Sequence, residues 1–198
     1  MEMTDPRIDV PTDVLPREML RAANDPAWKA GSAEPWIRDL VAQFVLASGA
    51  RDVIEIGGFQ GYTSAALARA LTALPTPATL TVCEIDAERA AAVVEALAQH
   101  QRPHVTCHVT VADSHAWLPT LPRNSVDLAW IDGNHEQAHV ARELELLWPA
   151  LRVRGLALLH DVFGVCDLQR VVARFGGYSL DLPRLGPAGG LGIVQKRA

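Results

Sequence analysis

The chain has 198 residues, 49% hydrophobic and 21% charged, enough to bury the core of one large domain. Its net charge is −5 and no basic run interrupts it, which argues against nucleic acid as the main partner. No apolar run is long enough to span a bilayer, the first residues lack a charged and then apolar leader, and Cys83, Cys107 and Cys166 are scattered. The expectation is therefore a cytoplasmic protein with free thiols and no membrane partner.

Residues 1–33 read as an N-terminal helical cap or extension, and 34–198 as the main domain. Asp13 or Pro16 opens a short helix carrying Leu15, Met19 and Leu20, broken at Asn24-Asp25-Pro26. Glu34 and Pro35 start a stronger helix, with Trp36, Ile37, Leu40, Val41, Phe44 and Val45 at helical spacing and Gly49 at its end. Trp28 and Trp36 either pack this segment on the domain or roof a substrate pocket. A β-branched strand follows at 53–56, then a glycine turn and a helix to 74. Further strands are expected at 79–83, 105–111, 126–131 and 156–159. The helices between them fall at 87–99 with Asp86 as N-cap, around Trp117, and at 136–151. A helix at 165–175 leads to closing strands at 178–182 and 191–195. This alternation predicts an α/β fold: a Rossmann-like, doubly wound, seven-stranded and mostly parallel sheet, with an antiparallel edge strand and helices on both faces.

The glycine turn is the stretch around which the chain is organised. Gly57, Gly58 and Gly61 follow the strand directly, and Tyr62 and Thr63 begin a helix. Glycines let backbone and ligand approach closely, and the helix start offers unpaired N–H groups. The dinucleotide spacing G-x-G-x-x-G does not fit, because it would need glycine at Phe59 and Tyr62. The acids fall in a pattern too. Glu55, Glu84, Asp113, Asp132 and Asp161 lie in or just after the first five strands, toward the rim where doubly wound sheets bind ligands. Glu84 comes 23 residues after Gly61, the interval at which an acid accepts from a ribose. Ile85 follows it, and Asp113-Ser114 end the third strand on the same rim. Two carboxylates converging at Asp132 and Asp161 would need a shared proton or cation.

The spacing Glu55-x-Gly57-x-x-x-Gly61 resembles the first motif of the class I S-adenosylmethionine-dependent methyltransferases. Within that class, the stretch from Ile131 to His135, the following helix, Gly155 to Asp161, and Gly190 to Val194 look like the metal-dependent O-methyltransferases of small molecules, the catechol and antibiotic-sugar type. The resemblance covers roughly residues 36–196. It implies S-adenosylmethionine held by Glu55, Gly57, Gly58, Gly61, Tyr62, Thr63, Glu84, Ile85, Asp113, Ser114 and Asp132. It further implies a divalent cation, Mg²⁺ or Mn²⁺, on Asp132, Asp161 and His160, with His135 as the base that deprotonates an acceptor hydroxyl beside Asp132. Many members have a second acid where this chain has His160, and imidazole there weakens the case for Mg²⁺. Many are also dimers or larger, which points to a homodimer without fixing it. A metal-independent N- or C-methyltransferase, and a non-catalytic partner that binds the cofactor, are the competing readings. The identity of the methyl acceptor is not written in these motifs.

Overall fold

The computed structural model describes residues 25–182 and 187–198. The helix expected near Leu15 to Leu20 lies outside the described residues. Asp25 and Pro26 open a helix of their own. The Asp25 side chain accepts from the Trp28 N–H and caps a four-residue helix, α1 (Pro26–Lys29). Helix α2 (Pro35–Ser48) then presents Ile37, Val41 and Val45 to the core and ends at Gly49 in the left-handed conformation.

Strand β1 (Asp52–Ile56) leads through the glycine turn to α3 (Tyr62–Thr72). Next come β2 (Ala78–Glu84), α4 (Ala87–Ala98) and β3 (Val105–Val111), with Asp86 capping α4 as expected. A short α5 (Ser114–Trp117) and a 3₁₀ turn lead to β4 (Val126–Ile131) and α6 (Gln137–Leu147). The chain closes with β5 (Leu151–Gly164), α7 (Gln169–Arg174), β6 (Tyr178–Leu180) and β7 (Ala188–Gln195).

Three elements depart from expectation by four residues or more. Helix α6 stops at Leu147 rather than 151: Trp148 keeps helical dihedrals, but Pro149 has no N–H with which to continue the bond ladder. Strand β5 is much longer than 156–159, since β7 pairs with it as far as Gly164 and Leu151 pairs with Val126. Helix α7 begins later than 165, because Gly164 turns the chain with φ +82° and Val165 is left exposed.

The seven strands run in the order β3-β2-β1-β4-β5-β7-β6. The pairs β1–β2, β2–β3, β1–β4 and β4–β5 are parallel, while β7 runs antiparallel to both β5 and the edge strand β6. Alternate strand residues feed two cores. Val53, Leu80, Leu128 and Trp130 pack with α2, α3 and α4 on one face. Ile54, Ile56, Ile131 and Leu159 pack with α6 and α7 on the other. Among the described residues no helix is long and apolar enough to cross a membrane.

Candidate active site

Strand order reverses between β1 and β4, and ligand crevices in such sheets open outside that switch point. Here the two turns touch. The Asp132 N–H donates to the Ile56 carbonyl at 2.9 Å, and Gly57, with φ +87°, leaves no room for a side chain. A Cβ on Gly57 would lie 2.5 Å from the Asp132 carbonyl oxygen, which is why the position needs glycine on two grounds. A cleft of about 640 Å³ opens at this point, within the range of small-molecule sites.

Glu84, at the end of β2, is 4% exposed and lines the cleft. One carboxylate oxygen accepts from the Phe59 N–H at 2.8 Å, the other from the Asp86 N–H at 3.0 Å. It therefore pins the glycine turn, in which Phe59 itself has φ +49°, and keeps lone pairs for a ligand. Asp113 and Ser114, at the end of β3, line the same cleft, as do Gly58, Thr63 and Ile85. Behind Ser114 stands Glu143 of α6, which no sequence pattern singled out. It accepts from Ser114 Oγ at 2.6 Å, lies 3.2 Å from His139 Nε2, and is fully buried. Burial raises its pKa against the pull of Ser114 and the nearby histidines.

The most charged part of the cleft lies between β4 and β5. Asp132 Oδ1 is 2.9 Å from His160 Nδ1 and 3.3 Å from His135 Nε2. His160 Nε2 is in turn 2.9 Å from Glu34 Oε2, at the start of α2. Glu34 and His160 are 1% and 5% exposed. Burial disfavours charge on Asp132, but the His160 charge and the His135 hydrogen bond outweigh it and bring its pKa down to about 2. Burial likewise works against a proton on His160, yet the Asp132 charge and the bonds to Asp132 and Glu34 carry its pKa well above the ordinary histidine value. His135 is raised as well, burial again being outweighed by Asp132 and Asp161. Asp132, His135 and His160 bring three donor atoms within 4.8 Å of one another.

Asp161 lines the same cleft as Asp132, although among the described residues no group of donor atoms within 4.8 Å contains both. It has φ +53° in an irregularity of the β5–β7 pairing. Its carboxylate lies 3.4 Å from His160 Nε2 and 3.8 Å from His135 Nδ1, so each imidazole meets Asp132 with one ring nitrogen and Asp161 with the other. Three expected donor contacts fall elsewhere. Glu55 is completely buried and does not line the cleft. It accepts from Ser64 Oγ on α3, while burial pushes its pKa well above the usual carboxylate range. Gly61 lies off the cleft because α4 packs against it, a Cβ there meeting Ala96 at 2.6 Å. Tyr62 faces outward, 37% exposed, with the Arg38 guanidinium over its ring. Trp28, with Gly31 to Ala33, lines the cleft, whereas Trp36 packs on the core.

In the sequence Glu34 reads only as the start of α2, not as a site residue. Glutamate is not a favoured N-cap and makes no cap bond here, the one local sign that its carboxylate is used elsewhere.

Comparison with solved structures finds this architecture widely. The O-methyltransferase TomG of Streptomyces achromogenes, involved in tomaymycin synthesis and solved with S-adenosylmethionine, superposes with a TM-score of 0.70 at 20% identity, over 93% of this chain and 92% of that one. An O-methyltransferase from Bacillus cereus with S-adenosylhomocysteine gives 0.68 at 16% identity, over 96% and 94%. A methyltransferase from Podospora anserina with S-adenosylhomocysteine gives 0.66 at 17%, over 92% and 89%. At these identities the likeness is one of fold. Comparison with curated protein sequences gave no match. A family model described as a methyltransferase domain matches residues 54–162, which carry the glycine turn, Glu84, Asp132, His135 and His160, and the chain belongs to that methyltransferase family.

Proposed function

We propose that the cleft binds S-adenosylmethionine and transfers its methyl group to an oxygen of a small hydroxylated molecule, with a divalent cation assisting. The observation that carries this reading is that a methyltransferase-family fold brings Gly57, Glu84, Asp132, His135 and His160 to one strand-end cleft. The Gly57-Gly58 turn, with Thr63 at the helix start, leaves space for the methionine part of the donor. Glu84 accepts from the ribose hydroxyls. Asp113 and Ser114 stand by the adenine. That S-adenosylmethionine or S-adenosylhomocysteine is bound in structures of the same fold supports the donor assignment.

Asp132 and His160 would hold the cation, Mg²⁺ or Mn²⁺. Bonds of about 2.1 Å at right angles put neighbouring donors about 3 Å apart, and Asp132 Oδ1 and His160 Nδ1 are 2.9 Å apart. When bound, such an ion stabilises negative charge on the acceptor oxygen. His135 takes the hydroxyl proton, and Asp132 beside it holds the resulting imidazolium. The remaining contribution of the protein is to align acceptor oxygen, methyl group and sulfur.

A specific observation favours a second reading, a metal-independent methyltransferase. Each ring nitrogen of His160 has a carboxylate oxygen at 2.9 Å, and an imidazolium satisfies both without an ion. The deciding experiment is transfer of labelled methyl from S-adenosylmethionine to catechol and vicinal-diol acceptors, before and after chelation. Activity abolished by chelation and restored by Mg²⁺ or Mn²⁺ supports the first reading. Activity indifferent to chelation selects the second, and transfer only to nitrogen or carbon acceptors overturns O-methylation.

A further inference from the structure

Glu34 lies outside residues 54–162 and 126 residues before its partner His160. It is almost wholly buried, and a buried carboxylate is tolerated only with a donor or cation against it. His160 Nε2 at 2.9 Å is that donor. A ring that donates Nε2–H to Glu34 presents Nδ1 as a lone pair, and Nδ1 faces Asp132 Oδ1 across 2.9 Å at the edge of the cleft. A lone pair and an anionic oxygen that close repel unless a proton or cation lies between them. A carboxylate on the far nitrogen of a ligating histidine fixes the tautomer and raises the basicity of the other nitrogen. Magnesium prefers oxygen donors and keeps its waters, whereas imidazole suits transition ions.

We infer that Glu34 is a positioning residue that sets His160 as a nitrogen donor toward the cleft, so that the site between β4 and β5 takes an imidazole-accepting ion such as Zn²⁺, Fe²⁺ or Mn²⁺ in preference to Mg²⁺. The inference rests on the cation reading above and adds the residue and the selectivity. A second group, His115, His139 and Glu143, also places three donor atoms together, so binding counts here only if it depends on His160.

The test is calorimetric titration of Zn²⁺ and of Mg²⁺ into the full chain saturated with S-adenosylhomocysteine, using wild type, Glu34→Ala, Glu34→Gln and His160→Asn. Wild type should bind Zn²⁺ at least tenfold more tightly than Mg²⁺ at a site that His160→Asn removes. Glu34→Ala should weaken that site roughly 10–100-fold, the range for loss of an outer partner of a ligand. Glu34→Gln, whose amide oxygen still accepts from Nε2–H, should recover most of the affinity, which a general packing defect would not allow. Affinity for S-adenosylhomocysteine, within about twofold of wild type in the two Glu34 variants, reports an intact cleft. Equal Zn²⁺ and Mg²⁺ affinities, or wild-type zinc binding in Glu34→Ala, overturn the inference and leave the cation reading standing. If Glu34→Ala does not fold, zinc preference retained in His160→Asn overturns it instead. No ion bound by wild type removes the cation reading, and this inference with it.

Discussion

Gly57→Ala tests the contact between the turns after β1 and β4. The added methyl would lie 2.5 Å from the Asp132 carbonyl oxygen and 2.6 Å from the Gly133 Cα. Both are backbone atoms, so no rotamer change relieves the clash. At φ +87° an L residue costs about 1–2 kcal/mol, and a methyl forced into packed structure costs about 1–3 kcal/mol. Together Gly57→Ala should lose about 2–5 kcal/mol of stability. The atoms that must yield belong to Asp132 and Gly133, so the shift should also disturb the 2.9 Å approach of Asp132 to His160. Gly133 supplies the control. A Cβ there meets nothing nearer than 3.5 Å, and its φ is not left-handed, so Gly133→Ala should change stability by less than about 1 kcal/mol. Urea unfolding, compared at a common m value, measures both. A wild-type midpoint for Gly57→Ala, or equal damage from Gly133→Ala, would refute the reasoning.

Two further outcomes are expected. His135→Ala should lower turnover roughly 10²–10⁴-fold while leaving S-adenosylhomocysteine affinity intact, as steady-state kinetics and calorimetry would show; full activity would reject His135 as the base. Asp127 bears on acid stability. Burial raises its pKa, but the Arg51 and Asp52 N–H groups and Arg152 outweigh this and hold it below its ordinary value. Because the folded pKa is depressed, its stabilisation is present above the unfolded pKa and is lost as pH falls through the folded one. Asp127→Asn should therefore be less stable at neutral pH and lose stability less steeply between about pH 5 and 3. Parallel thermal-unfolding profiles for the two proteins would contradict this.

The parallel sheet was legible because its strands are buried on both faces and read as apolar runs, 53–56 and 126–131 most clearly. Gly57 and Glu84 were legible because turn geometry and spacing are local. The length of β5 was not, since Arg152, Val153, Arg154 and Gly155 look like a loop and form an irregularity between Leu151 and Leu156, both of which pair with β4. The role of Gly61 was hidden for a similar reason. Sequence shows that a side chain is missing there, but not whether a ligand or Ala96 takes its place. Glu55 shows the limit of counting acids at strand ends. It turns under the glycine loop to Ser64, whereas Asp161, in an irregular part of β5, lines the cleft. Glu34 meets His160 only through the tertiary fold, and no local pattern connects them.

The most direct single measurement is calorimetric binding of S-adenosylhomocysteine to wild type and to Glu84→Ala, with thermal unfolding confirming that both are folded. Wild type should bind one equivalent, and Glu84→Ala should lose about 1.5–3 kcal/mol of binding free energy, the range for hydrogen bonds to a charged group. No binding by wild type, or equal affinity in the two proteins, would contradict the placement of the methyl donor in this cleft.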